Sequence, residues 1–321
     1  MLEVNVSELI NDIRSVGIDL DRIDRIYVIE GVLINTEPLR VGKGAGGLGE
    51  VDLPVVRLPS GEPFIPGSSI KGVLRSIAES LVRSEREFAC EPSTTSMGFN
   101  RCSMAAELLT RIYYLLISGS ARSLSGDEFE EKVVSALRKK YRMLSDEVFE
   151  EVIELYNKGG IKGLIKELPL RIGPCVVCQL FGNTSLASHI DIMDAIPLSG
   201  RESGEIPVLS RTRVAIDRFR GASRARALFN YEYVPRGIKW RFKAIIRNVD
   251  LTDSNSTKSR IVRSLLKMMS DGAEYLSLGG MRSVGLGRFK LDLRETRVTR
   301  YVIKDYDLIP EELALDEVIK R

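Results

Sequence analysis

The sequence predicts an α+β protein: a ferredoxin-like core sheet with helices on one face, a protruding basic β-hairpin and a helical insertion. Three observations predict it. Outside one segment, the stretches run strand, strand, helix, then strands, helix, strand, an order that suits a ferredoxin-like sheet. From about Arg83 to Leu168 the apolar residues recur at helical spacing instead. Between two later β-rich runs lies RTRVAIDRFRGASRAR, Arg211 to Arg226, in which six arginines meet one acid, Asp217.

Each element has a local reason. Val6 to Val16 carries Leu9, Ile10 and Ile13 at helical spacing. Asp24 to Thr36 is rich in Ile, Val and Tyr and reads as a first central strand. A glycine loop follows from Val41 to Asp52, then a short strand at Leu53 to Arg57 and a turn at Pro59-Ser60-Gly61. Pro66 and Gly67 precede Ser68, which reads as the N-cap of a helix to about Ser80. Inside the insertion, Ala105 to Ile117, Glu128 to Tyr141 and Asp146 to Tyr156 read as helices. After Cys178, strands are expected at His189 to Ile196, Thr212 to Asp217, Leu228 to Val234 and Lys239 to Val249. Ser256 to Met269 is an amphipathic helix, Gly287 to Tyr301 a strand pair, and Pro310 to Ile319 a final short helix. One domain results, with core segments 1–82 and 169–321 and the insertion at 83–168.

Hydrophobic residues make up 44% of the 321, enough for a full core. The net charge of +3 does not by itself demand nucleic acid, so the distribution of charge decides. No apolar run approaches the ~20 residues that span a bilayer. The N-terminus lacks a basic region ahead of an apolar one, so it reads as no signal peptide and the chain as cytoplasmic.

Gly42, Gly44 and Gly47 match G-x-G-x-x-G, but LGEVDLPVVR follows where a dinucleotide site needs a helix, and that context rejects it. The loop, with Lys43, reads either as a plain connection or as a segment that approaches a sugar-phosphate strand. In FIPGSSIKGVLRS, Ser68, Ser69 and Lys71 sit at a helix N-terminus with Arg75 one turn on, an arrangement suited to an anion; an ordinary capped helix is the plainer reading. LGGMRSVGLGRF places Gly279, Gly280, Gly285 and Gly287 around Arg282, with Arg288 beside them; glycine lets a phosphate approach the main chain closely, though such loops are also common turns. Arg211, Arg213, Arg218, Arg220, Arg224 and Arg226 lie on or near the tip of the expected hairpin. A solvated loop would be served equally by mixed lysine and glutamate. Phe219 and Phe229 are placed to stack on bases, with core packing the stronger reading for Phe229. Three segments that pair open backbone with cations point to a nucleic-acid cradle.

Cys175 and Cys178 have the C-x2-C spacing of a zinc site, and Cys90 and Cys102 supply two further thiols. One structural zinc held by all four would pin the insertion to the core, with His189 able to replace one thiolate. Buried free cysteines and disulfides are the other readings. Asp52, with Glu50 nearby, ends the glycine loop, where a carboxylate can hold a divalent metal against a phosphodiester or simply serve a turn. With His189 the one histidine of the chain, a two-histidine ribonuclease mechanism is excluded.

These motifs in this order, VGKGAGGLGEVDLPVVR, FIPGSSIKGVLRS, CQLFG, RVAIDRFRGASRARALFNYEYVP and LGGMRSVGLGRF, resemble the RAMP superfamily of CRISPR-associated proteins, nearest to the backbone subunit repeated along type III effector complexes. The resemblance covers most of the chain apart from the insertion and the extreme C-terminus. It implies an RRM-like fold and copies stacked on a CRISPR guide RNA beside other RAMP subunits. It implies that Ser68, Ser69, Lys71, Arg75 and the Gly279–Arg288 loop hold guide phosphates. The Asp217–Phe229 hairpin would kink the duplex of guide and single-stranded target RNA. Asp52, in VDLPVV, occupies the position of the aspartate that cleaves target RNA with a divalent metal such as Mg. The long insertion departs from a minimal backbone subunit, and capping subunits share the motifs without cleavage. A structural RNA-binding or capping subunit is therefore the alternative, and a guide-processing ribonuclease a third.

Overall fold

A computed structural model of the chain describes residues 23–44, 51–90, 101–117, 124–142, 144–198, 206–272 and 276–320. The helix expected at Val6 to Val16, Glu50 and the rest of the glycine loop at 45–50 lie outside the described residues. Two compact units emerge: one holds Arg25–Ala78 and Ile190–Arg321, the other Glu79–His189 with residues 23–24.

The first unit contains, in chain order, β1 (Arg25–Asn35), most of α1 (Gly67–Ser84), β2 (Ile190–Ile192), β3 (Ile196–Pro197), β4 (Leu209–Ile216), β5 (Ser223–Tyr233) and β6 (Lys239–Arg247). Then come α2 (Thr257–Ser270), β7 (Phe289–Leu291), β8 (Arg297–Lys304), β9 (Asp307–Leu313) and α3 (Leu315–Lys320). The sheet order is β2-β6-β1-β8-β9, with every neighbouring pair antiparallel. Set against the helices, this is the βαββαβ order of a ferredoxin-like sheet, with β9 added at one edge and β4–β5 inserted before β6.

Alternation explains the burial. Tyr27, Ile29 and Leu33 of β1 stand opposite Ile246, Ala244 and Trp240 of β6, and all six are buried on one face. A sheet with one apolar face takes its helices on that face. α2 supplies Ile261, Leu265, Leu266 and Met269, and its N-cap Ser256 accepts from the Ser259 N–H. Buried Asn35 is a polar hub: its side chain donates to the carbonyls of Glu37 and Pro235 and accepts from Trp240 Nε1 at 3.0 Å.

The second unit is helical. Its helices are Arg101–Ile117, Gly126–Phe129 continuing through a π turn at Glu130–Val134 into Ser135–Lys140, Asp146–Ile172 and Val176–Phe181. The helices between Arg101 and Ile172 share one apolar core around Leu108, Phe129, Val152, Leu155 and Leu164. The rings of Phe129 and Tyr156 stack at 3.7 Å.

Several expectations shift. Leu53 to Arg57 forms single bridges rather than a regular strand, since Pro54 has no N–H to give a ladder. The helix expected to end at Tyr156 continues to Ile172 across a kink at Gly160. Val176–Phe181, within the C-x2-C segment, is a short helix that the pattern did not reveal. The His189 to Ile196 stretch divides into β2 and β3. Pro310 lies in β9, and the last helix starts only at Leu315.

Candidate functional site

The hairpin is a two-stranded sheet of its own, exposed along nearly all of β4. Its register sets Arg211 opposite Tyr231 and Arg213 opposite Phe229. Residues two apart share a face, so Phe229, Tyr231 and Tyr233 form a ladder on the side that carries both arginines. The Arg211 guanidinium lies 5.3 Å from the Tyr233 ring and that of Arg213 lies 5.4 Å from the Tyr231 ring. At the tip, Asp217 Oδ1 accepts from the N–H groups of Phe219 and Arg220, each at 3.0 Å. The single acid of the arginine stretch thus folds the turn. Arg218, Arg220 and Arg224 are exposed around it, and the Phe219 ring is 99% exposed. Phe229 is half-buried, and the side chain of Arg226 lies outside the described residues.

At the hairpin base the two glycine motifs meet. The Gly280 N–H donates to the Arg40 carbonyl and the Gly287 N–H to the Pro38 carbonyl, each at 2.8 Å. Gly279 has φ +76 and Gly287 φ +90; a Cβ on either would fall 2.0 Å from a carbonyl oxygen, of Arg40 and Leu278 respectively, so only glycine fits. The Val41 carbonyl accepts from the Val56 N–H at 2.8 Å, and the Leu53 N–H donates to the Asn230 carbonyl at 3.1 Å. Residues 39–43, 51–57, 278–288 and the base of β5 are therefore stitched together by main-chain bonds. Lys43, Arg282 and Gly285 are exposed there, Gly287 is buried and Arg288 is half-buried.

Asp52 stands at this junction, exposed, with Oδ2 accepting from the Asn230 N–H at 2.8 Å. That bond fixes the carboxylate against β5. Among the described residues Asp52 belongs to no group of three metal-ligating side chains. One carboxylate still suits Mg, which keeps several waters and takes its remaining ligands from phosphate oxygens.

The start of α1 differs from the expected cap. The helix begins at Gly67, not after Ser68, because the Gly67 N–H is taken by Asp194 Oδ1 at 2.8 Å. A carboxylate from the β2–β3 connection thus occupies a place at the helix terminus that the sequence reading left to an external anion. Ser68 is exposed, and Ser69, Lys71 and Arg75 are partly buried. Burial pushes the Lys71 ammonium below its ordinary range, with Asp191 acting the other way. Asp191 also pairs with Arg247 at 2.5 Å.

The four cysteines come together within the second unit. All are buried and in no disulfide, and their sulfurs lie within 4.8 Å of one another. Cys90 and Cys178 Sγ are 3.1 Å apart, Cys90 and Cys175 Sγ 3.8 Å, and the Cys175 N–H donates to Cys102 Sγ at 3.3 Å. A tetrahedron with Zn–S near 2.3 Å has edges of about 3.8 Å, so the donor set fits zinc. Hydrogen bonding from Cys102 holds Cys175 far below the usual thiol range and lowers Cys178 to about 7. Cys90 is pushed up chiefly by its bond with Cys102, and Cys102 by its bond with Cys175. Two features differ from the sequence expectation: the four thiols belong to one unit, and His189, buried, is not in the donor group. A metal there would tie the helical unit's own segments together.

Sequence reasoning missed Asp194, the tyrosine ladder and Arg40. The ladder had a signal in the alternation of Phe229, Tyr231 and Tyr233. Arg40 had one too, as an arginine between Leu39 and Val41 just before Gly42.

Among the described residues, no helix is long and apolar enough to cross a membrane. No curated protein matched the chain. A family model described as the RAMP superfamily matches residues 34–290. The chain belongs to the RAMP superfamily of CRISPR-associated, RNA-binding proteins.

Proposed function

We propose that this RAMP-superfamily chain is a guide-RNA-binding backbone subunit of a type III CRISPR effector complex, and that it cuts target RNA in antiviral defence. The observation that carries this reading is the junction at the hairpin base. There a fixed carboxylate, Asp52, an open glycine loop and an arginine-bearing hairpin adjoin through main-chain bonds. Cations and approachable backbone grip a ribose-phosphate strand without reading its sequence. Lys43, Arg282, Arg288 and the glycines serve one side of the strand, and Arg211, Arg213, Arg218, Arg220, Arg224 and Arg226 the hairpin side. Ser68, Ser69, Lys71 and Arg75 extend the grip along α1. Other RAMP subunits and further copies of the chain are its partners.

In the cutting step, a target 2′-OH attacks the adjacent phosphorus. The new O–P bond replaces the P–O5′ bond, leaving a 2′,3′-cyclic phosphate and a 5′-OH that takes up the proton. A divalent metal such as Mg, held by Asp52, would neutralise charge on the scissile phosphate. The Asn230 N–H keeps the Asp52 carboxylate in place, and the exposed hairpin tip holds the target nucleotide out of the stack so that attack is in line. The four cysteines hold a structural zinc in the helical unit.

A second reading, a non-catalytic structural or capping subunit, is favoured by one observation: among the described residues Asp52 belongs to no group of three metal-ligating side chains. The Asp52→Ala chain in the assembled complex separates the two. Loss of metal-dependent target cutting at the sites this subunit faces supports cleavage; cutting that persists at every site leaves the structural role alone.

A further inference from the structure

Among the described residues, Arg40 is a buried arginine with a side-chain donor that the fold leaves unpaired. It is 8% exposed, and its Nε has no hydrogen-bond partner among the described residues. Arg263, a second buried arginine among the described residues of the same unit, donates to the Leu251 carbonyl. A buried donor left without a partner is costly, and natural cores pair such groups or replace them with apolar ones.

The surroundings are shaped for this group. A Cβ on Gly42 would lie 2.9 Å from Arg40 Nη2, and one on Gly280 would lie 2.7 Å from Nη1, so both glycines leave room for the guanidinium. The main chain of the segment is fixed from two sides, by the Gly280 N–H on the Arg40 carbonyl and the Val56 N–H on the Val41 carbonyl. Gly42 and Lys43 are exposed at the mouth, and Arg282 is exposed on the facing loop.

We propose that Arg40 is an oxyanion receptor, its guanidinium held between Gly42 and Gly280 to take a phosphodiester oxygen of the bound RNA strand. The assignment rests on the RNA-binding reading above and adds to it a specific phosphate subsite. A planar guanidinium presents paired donors that match a phosphate, and the cations at the mouth select an anion over a carbonyl. Burial lowers the Arg40 pKa, as expected of a cation awaiting a counter-charge, but arginine stays protonated at neutral pH.

The test compares full-length wild type, Arg40→Met and Gly280→Ala. It reads the melting temperature of each free protein and its binding to a labelled single-stranded oligouridylate across a salt series. Arg40→Met is expected to melt at or above wild type, because a buried Nε–H without an acceptor is gone. Its RNA affinity should fall roughly 10- to 100-fold, and its log–log salt slope should shrink by about 0.7. Gly280→Ala, whose methyl would displace Nη1, should weaken RNA binding with the charge intact. Wild type that binds RNA while both variants bind equally well with an unchanged slope overturns the Arg40 assignment alone. Arg40→Met that melts well below wild type, with Gly280→Ala binding RNA normally, makes the guanidinium a core group and also overturns it. Wild type without salt-dependent RNA binding overturns the RNA reading and the assignment together.

Discussion

Stripping metal from the cysteine cluster is predicted to destabilise the helical unit. The cluster joins Cys102 to Cys175, 73 positions apart in the chain. Closing a loop of that length in the unfolded chain removes conformational entropy equivalent to about 4 kcal/mol. For a unit of this size that corresponds to a melting shift on the order of 15 °C. The assay is elemental analysis of the purified full-length chain, followed by calorimetry before and after treatment with a strong chelator. About one zinc per chain and a downward shift of that order are expected. Replacing Cys102 with Ala should reproduce the shift and abolish the metal. Protein that contains no zinc, or whose melting is unmoved when zinc is removed, refutes the reasoning.

Four further outcomes follow from the geometry. Gly287→Ala forces φ +90 on a residue with a side chain and sets its Cβ 2.0 Å from the Leu278 carbonyl oxygen; a loss of about 3 kcal/mol is expected in denaturant unfolding. Asp52→Asn keeps an acceptor for the Asn230 N–H, so stability should change by less than ~1 kcal/mol while metal-dependent cutting of target RNA by the assembled complex disappears. Replacing Arg218, Arg220 and Arg224 together with Gln should leave melting unchanged and lower the salt slope of RNA binding by about 2. Phe219→Ala, at a 99% exposed ring, should likewise spare stability, while weakening binding by about 1–3 kcal/mol through lost base stacking.

The parts of this fold that were legible in the sequence are those governed by local rules. Ile, Val and Tyr marked β1, amphipathic spacing marked α2, and the unbalanced arginines marked the hairpin. What escaped were features made by distant partners. Ser68 looked like a helix cap because nothing local reveals that Asp194 reaches the Gly67 N–H across 127 positions. Leu53 to Arg57 looked like a strand, but its partners are separate segments, Val41 on one side and β5 on the other, with Pro54 between. The cysteine spacing indicated a four-thiol site, yet only the fold shows that all four thiols belong to one unit and that His189 is excluded. Arg40 showed only its place just before Gly42; its meaning comes from Gly42 together with Gly280, more than two hundred positions away, which leave space beside its guanidinium.

The central claim is that glycine loops and hairpin arginines, far apart in the chain, hold one RNA strand. Photocrosslinking tests it most directly: the full-length chain is bound to a single-stranded RNA carrying 4-thiouridine, irradiated, and digested for mass spectrometry. The account predicts crosslinked peptides from residues 39–44, 217–224 and 279–288, all suppressed by high salt. Crosslinks confined to Glu79–His189, or none at low salt, would contradict it.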